Sequence, residues 1–114
     1  MGIRPNTTRD VAQRVNRVFT VTANGDYGPV EFLGVCNFSA GPALPSGAVV
    51  ELLDSTDGGT TYYPTPVNAV GGAVVFNSTL AAPRCVLEEN EPGVQYIARV
   101  SGTWTGTIPI RFSA

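Results

Sequence analysis

The chain contains no histidine and no lysine, only two cysteines and one tryptophan, and few charges of either sign. Each shortage closes off a class of chemistry. Without histidine the commonest general base and the commonest metal ligand are missing. Without lysine there is no Schiff-base amine and no phosphate-loop lysine. Two cysteines unaided by histidine cannot make a zinc site of the usual kind. No Gly-x-Ser-x-Gly elbow occurs. No stretch approaches the ~18 apolar residues of a membrane span, and the N-terminus lacks the apolar core of a secretory signal. The expectation is a non-enzymatic protein with no cofactor, no metal and no membrane partner, made in a cytoplasm or assembled there into something larger.

What is present points to strands and turns. At 114 residues the chain suits one domain, and a domain of that size buries roughly 65% of its unfolded surface, enough for a core without a metal or disulfide. Hydrophobic residues make up 43%. Charged residues make up 14%, against about 25% in an average domain. Gly 13 and Pro 9 together form about a fifth of the chain, against a usual share of about 12%. Low charge with abundant Thr, Val, Gly and Pro predicts many short strands joined by many turns.

The seven basic residues are all arginine, and they are unevenly placed. Arg4, Arg9, Arg14 and Arg17 fall in the first 17 residues, where Asp10 is the one acid, so this segment carries +3. The remainder holds three Arg against eight acids, or −5, which with the +3 gives the net −2. Residues 1–15 read as an extended basic arm and residues 16–114 as a folded body. A basic arm on an acidic body reads as a docking device for an acidic partner surface, with Arg4, Arg9, Arg14 and Arg17 as the contact residues, the alternative being a solvated terminus. The arm has no aromatic interleaving and the body is acidic, which argues against nucleic acid as the partner.

About eight strands are predicted. NRVFTVT from Asn16 alternates, with Arg17, Phe19 and Val21 on one face. Asn24-Gly25 marks a hairpin turn. Pro29–Phe38 reads as one strand, with Phe32, Cys36 and Phe38 on one side and Leu33 and Val35 on the other. GPALPSG (41–47) is a loop. Ala48–Pro64 is the clearest strand–turn–strand signal: an apolar strand to Leu53, a turn cluster from Asp54 to Gly59, and a β-branched and aromatic return from Thr60 to Tyr63. AVVFNSTL (73–80) and RCVLE (84–88) follow. Tyr96–Ser101 and Trp104–Phe112 form a final pair about Ser101-Gly102, with Trp104, Gly106, Ile108, Ile110 and Phe112 on one face. Pro109, on the other, predicts an edge, a bulge or a point where pairing stops. Strand spacings near 8–12 residues predict an all-β protein: a single sandwich, jelly-roll-like, of short antiparallel strands with the arm extended from it, or alternatively a small barrel.

Few residues suggest a site. Asp54 and Asp57 flank the turn, but Gly58 stands where a calcium loop would need an oxygen ligand, so both are expected to accept backbone N–H bonds. Glu88, Glu89 and Glu91 form an acidic run. Adjacent strand residues point to opposite faces, so they read as a solvated strand end rather than a catalytic pair. Cys36 and Cys85 are expected as buried free thiols, the alternative being a disulfide across the core. Trp104 with Tyr62, Tyr63 and Tyr96 offers either a sugar-stacking platform or, by its alternation with Ile108 and Ile110, core packing. The three Asn-x-Ser/Thr triplets at Asn6, Asn37 and Asn77 read as chance matches in a Thr-rich chain.

Two stretches carry a resemblance. ELLDSTDGGTTY (51–62) resembles the strand and Ser-x-Asp-Gly-Gly-Thr-Thr-aromatic hairpin of β-sandwich structural proteins of tailed bacteriophages. VSGTWTGTI (100–108) is similar to the Ser-Gly-Thr-Trp-Thr-Gly-Thr strand that often accompanies it. Together they cover about 20 of the 114 residues. The resemblance implies a virion structural protein, namely a capsid decoration or cement protein that binds the major capsid protein on the outer shell and bridges neighbouring subunits. It further implies a homo-oligomer, a trimer or alternatively a dimer. A tail, baseplate or fibre module of the same virion is the alternative, and a carbohydrate-binding module the second.

Overall fold

The computed structural model describes residues 16–67, 72–79 and 83–114. They form eleven strands: β1 Asn16–Val21, β2 Gly25–Val30, β3 Gly34–Ala40, β4 Ala48–Ser55, β5 Tyr63–Pro64, β6 Pro66–Val67, β7 Gly72–Ala73, β8 Val75–Asn77, β9 Arg84–Glu89, β10 Gln95–Gly102 and β11 Ile108–Ser113. One sheet has the order β1-β11-β3-β9. The other runs β2-β10-β4-β5, with β8 also on β4, and β6 and β7 form a two-stranded ribbon. All pairs are antiparallel. The protein is an all-β sandwich.

Alternation builds the core. In β3, Cys36, Phe38 and Ala40 are buried while Val35 and Asn37 face out, and in β11 Ile108, Ile110 and Phe112 are buried between exposed Pro109 and Arg111. The facing sheet contributes Val50 and Leu52 from β4 and Ala98 and Val100 from β10. The Phe38 ring lies 4.8 Å from Phe112 and 5.7 Å from Phe76, and Phe32 stacks on Tyr96 at 4.9 Å. Each such side chain contributes about 1.5–3 kcal/mol by leaving water.

The connections depart from the hairpins expected of the sequence. Asn24-Gly25 and Ser101-Gly102 are not hairpin turns. At each the chain passes from one sheet to the other, because β1 and β11 belong to the first sheet and β2 and β10 to the second. The last strand therefore begins at Ile108 rather than near Trp104. The crossing is tight. Gly47 and Gly102 both adopt positive φ, 87° and 96°, and a Cβ on Gly102 would collide with the carbonyl of Gly47, as one on Gly47 would with that of Thr103. Only glycine fits such a backbone approach.

Pro29–Phe38 is likewise two strands, β2 and β3, in different sheets. Their shared alternation survives the break because both sheets face the same core: Phe32, Cys36 and Phe38 are buried, while Leu33 and Val35 are exposed. In the Ala48–Pro64 stretch the pairing is Leu53 with Pro64 and Asp54 with Tyr63, so Thr60–Tyr62 belong to the loop. Pro109 is not at an edge, since β11 lies between β1 and β3. It sits where pairing to β3 stops: the ladder begins at Ile110, and the Pro109 carbonyl accepts the Gly41 N–H at 2.7 Å.

Candidate functional site

Arg4, Arg9 and Arg14 lie outside the described residues. Arg17 falls on β1, an edge strand, where its guanidinium carbon sits 5.1 Å from the centroid of the Phe19 ring. Asn16, at the start of β1, pairs with Ser113 near the end of β11, so the first described residues belong to the first sheet and not the second.

That sheet carries two further arginines. Register places Arg111 opposite Ser39, and Ser39 opposite Arg84. The two arginines thus stand two strand spacings apart, about 10 Å at the backbone, with a serine between them. They line one concavity of about 770 Å³ on the outer face, together with Asn37, Ser113, Pro42 and Pro83. Neither they nor Arg17 make an ion pair among the described residues. Arg99, on the opposite sheet, differs: its Nε donates to Asp26 Oδ1 at 2.8 Å and its second nitrogen to Oδ2 at 3.1 Å. The hydrogen bond from Arg99 holds the Asp26 carboxyl below its ordinary value, and Asp26 in turn raises Arg99.

Apolar side chains flank the arginines. Val18 lies directly opposite Arg111, and Val35 and Val86 are diagonal neighbours across β3 and β9. Val18 is 57%, Val35 57%, Val86 67% and Leu33, just before β3, 60% exposed. Four of the six large hydrophobic residues exposed among the described residues therefore belong to this sheet and its entry turn. Charge is segregated in the same sense. The first sheet and the segment before it hold six of the seven Arg against Asp10, Glu88 and Glu89, a balance of +3. The rest of the chain holds Arg99 against six acids, or −5, completing the net −2.

A second cleft, of about 840 Å³, opens between the sheets at β9. Four of the polar side chains that line it are already paired with one another. Tyr96 donates its hydroxyl to Glu89 Oε1 at 2.5 Å, and Thr65 donates to Asp54 Oδ2 at 2.8 Å. Burial, reinforced by the Glu89 carboxylate, pushes the Tyr96 phenol far above its usual range. Cys36 and Cys85 are free thiols on adjacent strands; Cys36 is buried and Cys85 half-buried. They lie diagonally, with Cys36 opposite Leu87 and Phe38 opposite Cys85. Burial pushes both thiols up to about 11, which keeps them protonated and poorly nucleophilic at neutral pH.

The remaining candidates resolve locally. Asp57 Oδ1 accepts the Ser55 hydroxyl at 2.6 Å and the Thr61 N–H at 2.9 Å, which is turn chemistry. Asp54 instead points inward to Thr65. Glu88 is exposed and Glu89 turns in toward Tyr96, on opposite faces as the alternation requires. Among the described residues no three His, Cys, Asp or Glu side chains are grouped to hold a metal ion.

The aromatic residues do not assemble into a platform. Trp104 is half-buried against the core, in the loop before β11, and donates its indole N–H to Asn24 Oδ1 at 2.7 Å. Tyr62 lies beyond the other end of the β4–β10 ladder, where its hydroxyl reaches Gln95 at 3.4 Å. The ladder between them is about 24 Å long.

The pairing of Arg84 with Arg111 was not visible in the sequence. Alternation puts each on a solvent face, but only the order β11-β3-β9 brings them together. In comparisons with known proteins, no family model, no curated protein and no solved structure matches the chain.

Proposed function

We propose that the chain is a non-enzymatic structural protein of a tailed-phage virion, a capsid decoration or cement protein that attaches to the major capsid protein on the outer shell. The observation that carries this reading is the gathering of arginine. Arg17, Arg84 and Arg111 lie on one sheet and Arg4, Arg9 and Arg14 precede it in the chain, whereas the second sheet carries Asp26, Glu51 and Asp54 against Arg99 alone. Such a molecule has one side that favours an acidic surface and one that resists it. The two sequence stretches similar to phage sandwich proteins supply the setting, and a repeating shell multiplies weak individual contacts. The strand order supports a jelly-roll reading of the sandwich. β1 lies beside β11 and β2 beside β10, so the first strands pair with the last, as two interleaved Greek keys require.

The test is co-sedimentation with phage heads. Removing residues 1–14 should abolish attachment while far-ultraviolet circular dichroism retains the β signature of the body. Undiminished attachment of the shortened chain overturns the role given to Arg4, Arg9 and Arg14.

A further inference from the structure

We infer that the outer face of the β1-β11-β3-β9 sheet is a docking surface for an acidic protein segment, whose carboxylate is held between Arg84 and Arg111 above Ser39. This deepens the reading of the chain as an attachment protein and rests on it, naming the face and the chemistry it takes. Three independent features converge.

The first is geometry. Arg111, Ser39 and Arg84 occupy one row across three neighbouring strands, and both arginines line the same concavity. Guanidinium groups approaching from either side can each donate to one carboxylate, with the serine hydroxyl beneath it. Charge-assisted bonds of this kind are about twice as strong as neutral ones. The second is availability. Arg99 is already bound to Asp26, whereas Arg84 and Arg111 make no ion pair among the described residues. The third is the surround. Val18, Val35, Val86 and Leu33 are more than half exposed on the same sheet and its entry turn.

Those valines decide the class of partner. A nucleic acid presents phosphates but asks for aromatic stacking residues or a longer basic track. Beside the arginines and Glu88, the outer positions of these four strands carry valine, serine, threonine, asparagine and proline and no aromatic side chain. A protein segment that alternates acidic and aliphatic side chains satisfies both the arginines and the valines. Burial of even a few such contacts excludes water and strengthens the central ion pairs.

The experiment maps amide shifts of the full chain by nuclear magnetic resonance on titration with a synthetic peptide of alternating glutamate and leucine. Parallel arms use oligothymidylate as the phosphate probe and dilution of the protein alone as the probe of self-association. The expected result is shifts centred on Val35, Ser39, Arg84, Val86 and Arg111, and an affinity lowered about tenfold or more in the double variant Arg84→Gln, Arg111→Gln. That variant should keep its spectrum elsewhere, since both side chains face solvent. The double variant Val35→Ser, Val86→Ser should weaken binding without altering charge.

Shifts on the β2-β10-β4 face, no shifts, or an unchanged affinity in both variants overturn the inference. So does a response of this face to oligothymidylate and not to the peptide, or to dilution alone. Head co-sedimentation separates the two levels. Peptide binding without head binding removes the virion setting and leaves the face. Full head binding by the Arg84, Arg111 double variant removes the face and leaves the setting.

Discussion

Asp26 and Arg99 form an ion pair whose side chains are 45% and 46% exposed, so solvent screening keeps its value at the level of surface pairs, about 0.2–1 kcal/mol. Because the folded-state value of Asp26 is lowered, the pair stabilises fully above the ordinary carboxylate range. Its contribution is lost as pH falls through the folded value. Asp26→Asn should therefore lower stability slightly at neutral pH in urea denaturation. The difference should shrink both at high salt and at low pH. The buried thiols behave with the opposite sign. Cys36 and Cys85 are raised from 9.0 to about 11, so the protein is favoured while both are protonated, below pH 9. That advantage declines as pH rises toward 11. Thiol-specific reagents at pH 8 should label the native chain far more slowly than the urea-unfolded chain, Cys85 before Cys36. Equal rates in the two states would contradict the burial described.

At the scale of elements, the connections between sheets do as much to define the molecule as the strands. Asn24 accepts the Trp104 indole N–H and donates to the Gly102 carbonyl at 2.9 Å. One side chain thereby pins the β1–β2 and β10–β11 crossings together. Asn24→Ala should cost about 1 kcal/mol for the lost bonds and shift Trp104 fluorescence to the red, as the indole gains access to water. An unshifted spectrum would mean that packing alone fixes the tryptophan. The strands themselves were legible because alternation is local: Phe32, Cys36 and Phe38, or Ile108, Ile110 and Phe112, declare their inner face within a few residues. The crossings were not legible, because Asn24-Gly25 and Ser101-Gly102 have the composition of a two-residue hairpin turn. The same glycine freedom serves an inter-sheet passage, and what distinguishes the two is the approach of Gly47 to Gly102, residues 55 positions apart. The site shares this limit. Arg17 was marked by its place in a basic segment, whereas Arg84 and Arg111 acquire meaning only through β3 between them.

At the scale of the whole molecule, the sandwich separates its two outer surfaces chemically. One sheet bears exposed valines and arginines that make no ion pair among the described residues. The other bears Arg99 already neutralised by Asp26, and Glu51 at the next register position. Leu53 and Ile97, though on the outer side of that second sheet, are buried, and of the large hydrophobic residues exposed among the described residues the second sheet holds Tyr63 and Val75 against four on the first sheet and its entry turn. On the proposed reading, attachment through the first sheet would leave the second sheet facing water, where its acidic residues would help keep decorated particles apart. The most direct measurement is a cryo-electron-microscopy reconstruction of phage heads saturated with the chain. The account predicts density with the β1-β11-β3-β9 sheet against the shell, Arg84 and Arg111 at the contact, and the β2-β10-β4 sheet outward. Heads that bind none of the protein, or bind it with the acidic sheet inward, would contradict it.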